Sequence, residues 1–212
     1  MSDSLPPYVR DPEEITRRSF ALVRTACDLS ALDAGSAEIA VRLVHACGMP
    51  DIVADLAWGG DVATAGRAAL RAGAPILVDA RMVAEGVTRA RLPADNALVC
   101  PIVQPEVAVR ARAQRITRSA AAVDLWRPCL DGAVVAIGNA PTALFRLLEI
   151  LAEGAPRPAA ILAFPVGFVG AAESKQALID AGLGVPYVTL RGRRGGSALA
   201  AAALNALARG GP

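Results

Sequence analysis

The chain has 212 residues, with 22 lysines and arginines against 20 aspartates and glutamates, a net charge of +2. So slight an imbalance excludes the basic face of a nucleic-acid binder, and a chain of this length is expected to fold as one domain, removing roughly 70% of its unfolded surface from water. Of its residues 54% are hydrophobic but only 4% aromatic, which predicts a core of small side chains holding helices close to a sheet rather than a set of membrane spans.

Met1 to Pro12 is polar and proline-rich, with no charged-then-apolar leader, so the expectation is a cytoplasmic protein with no membrane partner. Asp11-Pro12-Glu13-Glu14 reads as a helix start: an N-cap, a proline in the first turn and an acid placed to close a capping box. Ile15, Phe20, Leu22 and Val23 then form an expected core stripe running to about Cys27. A second helix is expected from Ser36 to Gly48, and a third from a cap at Asp61 to Arg71. The N-terminal third is therefore read as helical. From there a short apolar run, a turn of small residues and a helix recur. The runs are 75–78, 97–100, 133–137, 160–164 and 185–190, continuously apolar like parallel strands covered on both faces. Helical stretches occupy 105–130, broken near Ile116, and 141–153, 171–181 and 197–208. The alternation predicts an α/β fold with a mainly parallel, doubly wound sheet flanked by helices. The most apolar stretch, 158–172, contains Pro165, Gly167 and Gly170 and is shorter than a membrane span. Cys27, Cys47, Cys100 and Cys129 are scattered with no CxxC pair, which argues against a disulfide framework or a zinc site.

In open parallel sheets, ligands bind beyond the carboxyl ends of the strands. Those ends carry Gly138-Asn139-Ala140-Pro141-Thr142, Pro165-Val166-Gly167-Phe168 and Arg191-Gly192-Arg193-Arg194-Gly195-Gly196-Ser197. Each precedes a helix, so backbone N–H groups are expected to face a bound anion, each helix terminus adding ~0.3–1 kcal/mol. Gly, Asn and Ser are equally ordinary turn and cap residues, so the loops alone do not single out a ligand. Neither GxGxxG after a strand nor GxxxxGKS/T occurs, which argues against a nucleotide-dependent oxidoreductase. Arginine dominates the cations, Lys175 being the only lysine. GC-rich coding gives that bias by itself, but forked guanidiniums are also the better partners for carboxylates.

The chain has a single histidine. His45 lies in Arg42-Leu43-Val44-His45-Ala46-Cys47-Gly48, at the end of the second helix, with Arg42 three residues earlier on the same face. The helix terminus favours imidazolium and the guanidinium opposes it, and imidazole is the side chain suited to give and take protons near neutral pH. A lone helical histidine is also a common structural hydrogen-bonding residue, so the pattern by itself leaves both readings open. Arg18-Ser19 on the first helix reads, in isolation, as a solvated edge.

Several stretches together are similar to the precorrin-8X methylmutase family, called cobalt-precorrin-8 methylmutase in the anaerobic branch of cobalamin biosynthesis. They are Ile15-Thr16-Arg17-Arg18-Ser19-Phe20, the His45 segment 42–48, 73–80, Gly86-Val87-Thr88-Arg89, Thr117-Arg118-Ser119-Ala120-Ala121, 136–144, 165–175 and 191–197. They occur in the family's order, from about Tyr8 to Ala208. The resemblance implies a homodimeric α/β isomerase with no metal and no organic cofactor. Its reaction would be the migration of a methyl group from C11 to C12 of precorrin-8X, giving hydrogenobyrinic acid, or the same step on the cobalt-containing substrate. It implies His45 as proton donor or acceptor, and Ser19, Arg42, Arg118, Thr88 and Asn139 as substrate-binding residues. A suprafacial 1,5-sigmatropic shift is thermally allowed, so the protein must chiefly supply a held tautomer and one proton. A tetrapyrrole carrier that keeps the pocket without turnover is the alternative, and the retained His45 argues against it.

Overall fold

The computed structural model describes residues 8–208. Helix α1 (Pro12–Ala26) begins where the Asp11 carboxylate accepts from the N–H groups of Glu13 and Glu14, at 2.8 and 3.2 Å. The expected capping box does not close, because the Glu14 carboxylate is taken by Arg17 and Arg18. The expected core stripe is also only half realised. Phe20 and Val23 are half-buried, whereas Ile15 and Leu22 are 47% and 68% exposed. The cause is position: α1 packs chiefly on α2 (Ala34–Cys47), outside the layer that covers the sheet. Asp33 caps α2 through the N–H groups of Gly35 and Ser36, so the helix begins at Ala34, two residues upstream of the expected start. The helix stops at Gly48, whose left-handed backbone (φ 70°) sends its N–H to the Val44 carbonyl, a conformation that favours glycine.

The remaining elements are β1 (Leu56–Gly59), α3 (Val62–Arg71), β2 (Ile76–Val78), α4 (Arg81–Gly86), β3 (Leu98–Val99), α5 (Pro105–Gln114), α6 (Arg118–Asp124), β4 (Val134–Ile137), α7 (Pro141–Ala152), β5 (Ala160–Ala163), α8 (Ala171–Asp180), β6 (Tyr187–Leu190) and α9 (Ser197–Ala208). The strands form a six-stranded sheet in the order β1-β6-β5-β4-β2-β3, parallel throughout except for β1. The fold is thus the expected α/β arrangement, a mainly parallel, doubly wound sheet flanked by helices. Sequence patterning missed the short helix α4 and strand β1. The strand is four residues ending in glycine, and it is held by antiparallel pairing with β6, from Leu56 opposite Leu190 to Gly59 opposite Tyr187. There the Tyr187 ring covers Gly59, where a Cβ would meet its Cδ1 at 2.6 Å.

Two cores clothe the sheet. On one face α2, α3, α4 and α9 pack on Ile76, Val78, Val134, Ala136, Leu162 and Val188. On the other, α6, α7 and α8 pack on Leu77, Val135, Ile137 and Ile161. Facing sides of each strand therefore enter different cores, which is why the central strands read as unbroken apolar runs. The expected break in the long helical stretch falls at Arg115, in a left-handed conformation (φ 56°) between α5 and α6. Among the described residues no helix is long and apolar enough to cross a membrane.

Candidate functional site

The sheet winds outward in both directions from β2 and β4, which makes their carboxyl ends the switch point where such sheets bind ligands. Here that point is filled by the protein itself. Asp79, buried just after β2, accepts from the N–H of Gly138 with one oxygen (2.9 Å) and from those of Asn139 and Ala140 with the other (3.0 and 2.8 Å). Burial pushes the Asp79 carboxyl upward, and the three N–H donors work against that push. The neighbouring loops are closed in the same manner. Gly167 N–H donates to the Arg193 carbonyl, Gly196 N–H to the Phe164 carbonyl, and the Lys175 ammonium to the Arg194 carbonyl at 2.6 Å. The expectation that these loop N–H groups face a bound anion is corrected: the N–H groups of residues 138–140, Gly167 and Gly196 are bound within the fold.

An open cleft lies where the C-terminal end of α2 meets α9. Its volume is about 310 Å³. Arg42, His45 and Ala46 line it from α2, and Ala198, Ala201, Ala202 and Asn205 from α9, with Gly86 and Arg91 closing the rim. The α9 residues recur at one helical face, and their small side chains let the helices approach. A Cβ at Gly86 would sit 2.6 Å from that of Ala201. Among the described residues no carboxylate lines the cleft, while Arg42, Arg91 and His45 do, an arrangement that favours an anionic ligand.

Helix α1 completes the site from outside. Ser19 Oγ lies 2.8 Å from His45 Nδ1. The adjacent Phe20 ring stacks on the imidazole, centroids 4.7 Å apart and planes 30° from parallel, and the Arg42 guanidinium lies over the same ring at 4.9 Å. Two neighbours on α1 thereby interlock with an i, i+3 pair on α2. His45 itself is exposed and Arg42 half-buried. A hydroxyl both donates and accepts, so the Ser19 contact is compatible with either neutral tautomer and with imidazolium.

Of the residues singled out in the sequence, Ser19, Arg42 and His45 stand together. Thr88 stands next to them: its N–H donates to Asn205 Oδ1 at 2.9 Å, and Asn205 Nδ2 donates to the Gly86 carbonyl at 2.8 Å. Arg118 and Asn139 are placed elsewhere. Arg118 opens α6 on the opposite face of the sheet, where Thr117 Oγ1 joins Thr142 Oγ1 at 2.7 Å, and Asn139 follows β4; both are exposed, and neither lines the cleft. Phe20, Arg91 and Asn205 are the neighbours that sequence reasoning missed. Asn205 had a signal, as an amide inside the alanine-rich run 198–208. Among the described residues no cluster of three or more His, Cys, Asp or Glu could hold a metal ion.

The family model CbiC, precorrin-8X methylmutase, matches residues 14–210. The precorrin-8X methylmutase of Pseudomonas aeruginosa is 59% identical over 95% of this chain and 97% of its own length. The cobalt-precorrin-8 methylmutase of Methanothermobacter thermautotrophicus is 36% identical over 92% of this chain and 91% of its own. The solved structure of precorrin-8x methyl mutase from Thermus thermophilus superposes with a TM-score of 0.84 at 40% identity, covering 92% of this chain and 94% of that one. By a match that runs from α1 to the end of α9, over the elements that build the cleft, the chain belongs to the precorrin-8X methylmutase family and is an isomerase of cobalamin biosynthesis.

Proposed function

We propose that this methylmutase acts on metal-free precorrin-8X, moving the methyl group from C11 to C12 to give hydrogenobyrinic acid, with His45 as its acid–base group. The observation that carries the reading is an imidazole at the mouth of a cleft that two arginines line and, among the described residues, no carboxylate does. The reaction breaks the methyl–C11 σ bond and forms the methyl–C12 bond while the conjugated π electrons relocate, so atoms and electrons balance without a co-reactant. Nε2, the ring nitrogen not engaged by Ser19, exchanges a proton with the macrocycle and so sets the reactive tautomer. Ser19 holds Nδ1 through both protonation states and follows the proton by rotating its hydroxyl.

Arg42, Arg91 and the backbone-anchored Thr88 hold the acetate and propionate arms, each guanidinium–carboxylate pair contributing about 1.5–3 kcal/mol. A cleft of about 310 Å³ is at the small end for ligand sites and takes one edge of a tetrapyrrole with its arms. A second copy of the chain completes the enclosure, and Arg118 and Asn139 reach substrate in that homodimer. Sedimentation that finds a fully active monomer refutes the shared site. Preference for the metal-free substrate rests on likeness: 59% identity to a relative named for precorrin-8X against 36% to one named for the cobalt form.

The test offers both substrates to wild-type protein and to His45→Ala, following the visible spectrum. Wild type converts excess metal-free substrate, whereas a carrier shifts the bands once, stoichiometrically. His45→Ala keeps binding and loses at least about a hundredfold in rate. Near wild-type turnover by that variant removes the acid–base role.

A further inference from the structure

We infer that Phe20 is a positioning residue for the reaction, its ring setting the plane of the His45 imidazole from which the proton is exchanged. The inference rests on His45 being the acid–base group. A hydrogen bond to Nδ1 fixes one atom of the ring at 2.8 Å from Ser19 Oγ, but it leaves the imidazole free to tilt about that contact. Tilting moves Nε2, the atom across the ring. A second constraint is needed to aim it, and on this exposed side of α2 the Phe20 ring supplies one, stacked on the imidazole at 4.7 Å and 30°. The phenyl ring is itself held, because the Arg42 guanidinium lies over it at 4.9 Å and Phe20 is half-buried on a helix otherwise sparing in core contacts. Offset stacking and cation–π attraction both favour this geometry. Ser19 and Phe20 thus act as a two-point jig: the hydroxyl sets where Nδ1 sits and the ring sets which way Nε2 points.

Charged groups near the jig include Arg42 on α2 itself and Arg91 on the facing rim of the cleft. Losing the Phe20 ring would change the aim of the imidazole while both guanidinium charges stay in the cleft, Arg42 giving up only its contact with the ring. The signature is therefore a fall in kcat with KM little changed, which a merely structural role does not produce.

Because the chain has one histidine, its imidazole NMR signals can be read without assignment by mutation. In wild type the ring protons of His45 are shifted upfield by the Phe20 ring current. Phe20→Leu, with Phe20→Met as a second ringless variant should the first be unstable, abolishes that shift. It lowers kcat by roughly tenfold or more through misalignment, with KM within about twofold of wild type. Phe20→Tyr keeps the ring and restores both the shift and most of kcat. The idea is overturned if the ringless variants keep wild-type kcat, if their loss lies in KM, or if the histidine signals do not move. His45→Ala is run alongside. An inactive His45→Ala with a fully active Phe20→Leu sinks the positioning role alone, whereas an active His45→Ala sinks the acid–base reading beneath it.

Discussion

Lys175 is fully buried, and its ammonium donates to the Arg194 carbonyl. Burial pushes its pKa down from 10.5 to about 8. That difference corresponds to roughly 3 kcal/mol spent holding a charge in a poorly solvating interior at neutral pH. Between about pH 8 and 10.5 the unfolded chain binds more protons at this site than the folded one, so wild-type stability rises with pH across that window. Lys175→Met removes the charge but strands the Arg194 carbonyl. Near pH 7 the two effects oppose: relief of roughly 3 kcal/mol against a lost charged hydrogen bond of about 1.5–3 kcal/mol. The variant is therefore expected to be about as stable as wild type there. By pH 10.5 the relief has vanished and the stranded carbonyl remains, so wild type should be the more stable by roughly 2–3 kcal/mol. Urea unfolding of both proteins at several pH values reads the difference. Cys27, Cys100 and Cys129, whose thiols burial pushes upward, are common to both proteins, so their contribution cancels. A difference that stays flat within about half a kcal/mol over the window refutes the reasoning.

Three further outcomes follow from the loops and the cleft. Asp79→Asn offers N–H groups where a carboxylate oxygen now accepts, leaving at least one of the donors from Gly138, Asn139 and Ala140 unmatched. Thermal unfolding should show a loss of about 1–3 kcal/mol, or roughly 3–8 °C in Tm. Gly195→Ala places a Cβ about 2.5 Å from the Pro165 carbonyl oxygen, and the strain should lower stability by about 1–3 kcal/mol in the same assay. Arg42→Ala should weaken substrate binding by about 1.5–3 kcal/mol in a spectrophotometric titration, and unchanged affinity would return Arg42 to a structural role.

The parallel strands were legible because burial on both faces leaves an unbroken apolar run, as in Val134–Ile137 and Ala160–Ala163, where every residue is buried. Strand β1 was not. Leu56–Gly59 offers only three apolar residues before its glycine, and its partner β6 lies more than a hundred residues away in sequence; tertiary pairing makes it a strand. Helix α1 erred in the opposite sense. Its apolar spacing was read correctly as helical, yet spacing cannot say how far from the sheet a helix will lie, and so Ile15 and Leu22 were assigned to a core they do not enter.

The same limit governs the site. His45 and Arg42 could be paired from sequence because both sit on one helix, where three residues bring side chains together. Ser19 reached the site only by resemblance, and Phe20 was mistaken for core. Their meeting with His45 crosses 26 residues in sequence for Ser19, through a contact no local rule predicts. The anion-facing loops failed for a related reason. A glycine-rich turn before a helix advertises free N–H groups, but whether they are free depends on one buried carboxylate from another strand. With Asp79 in that role, the N–H groups of residues 138–140 at the switch point are spent within the fold. On the proposed function the ligand's charge is met instead by guanidiniums in the cleft, which is where an arginine-rich chain with one lysine places Arg42 and Arg91.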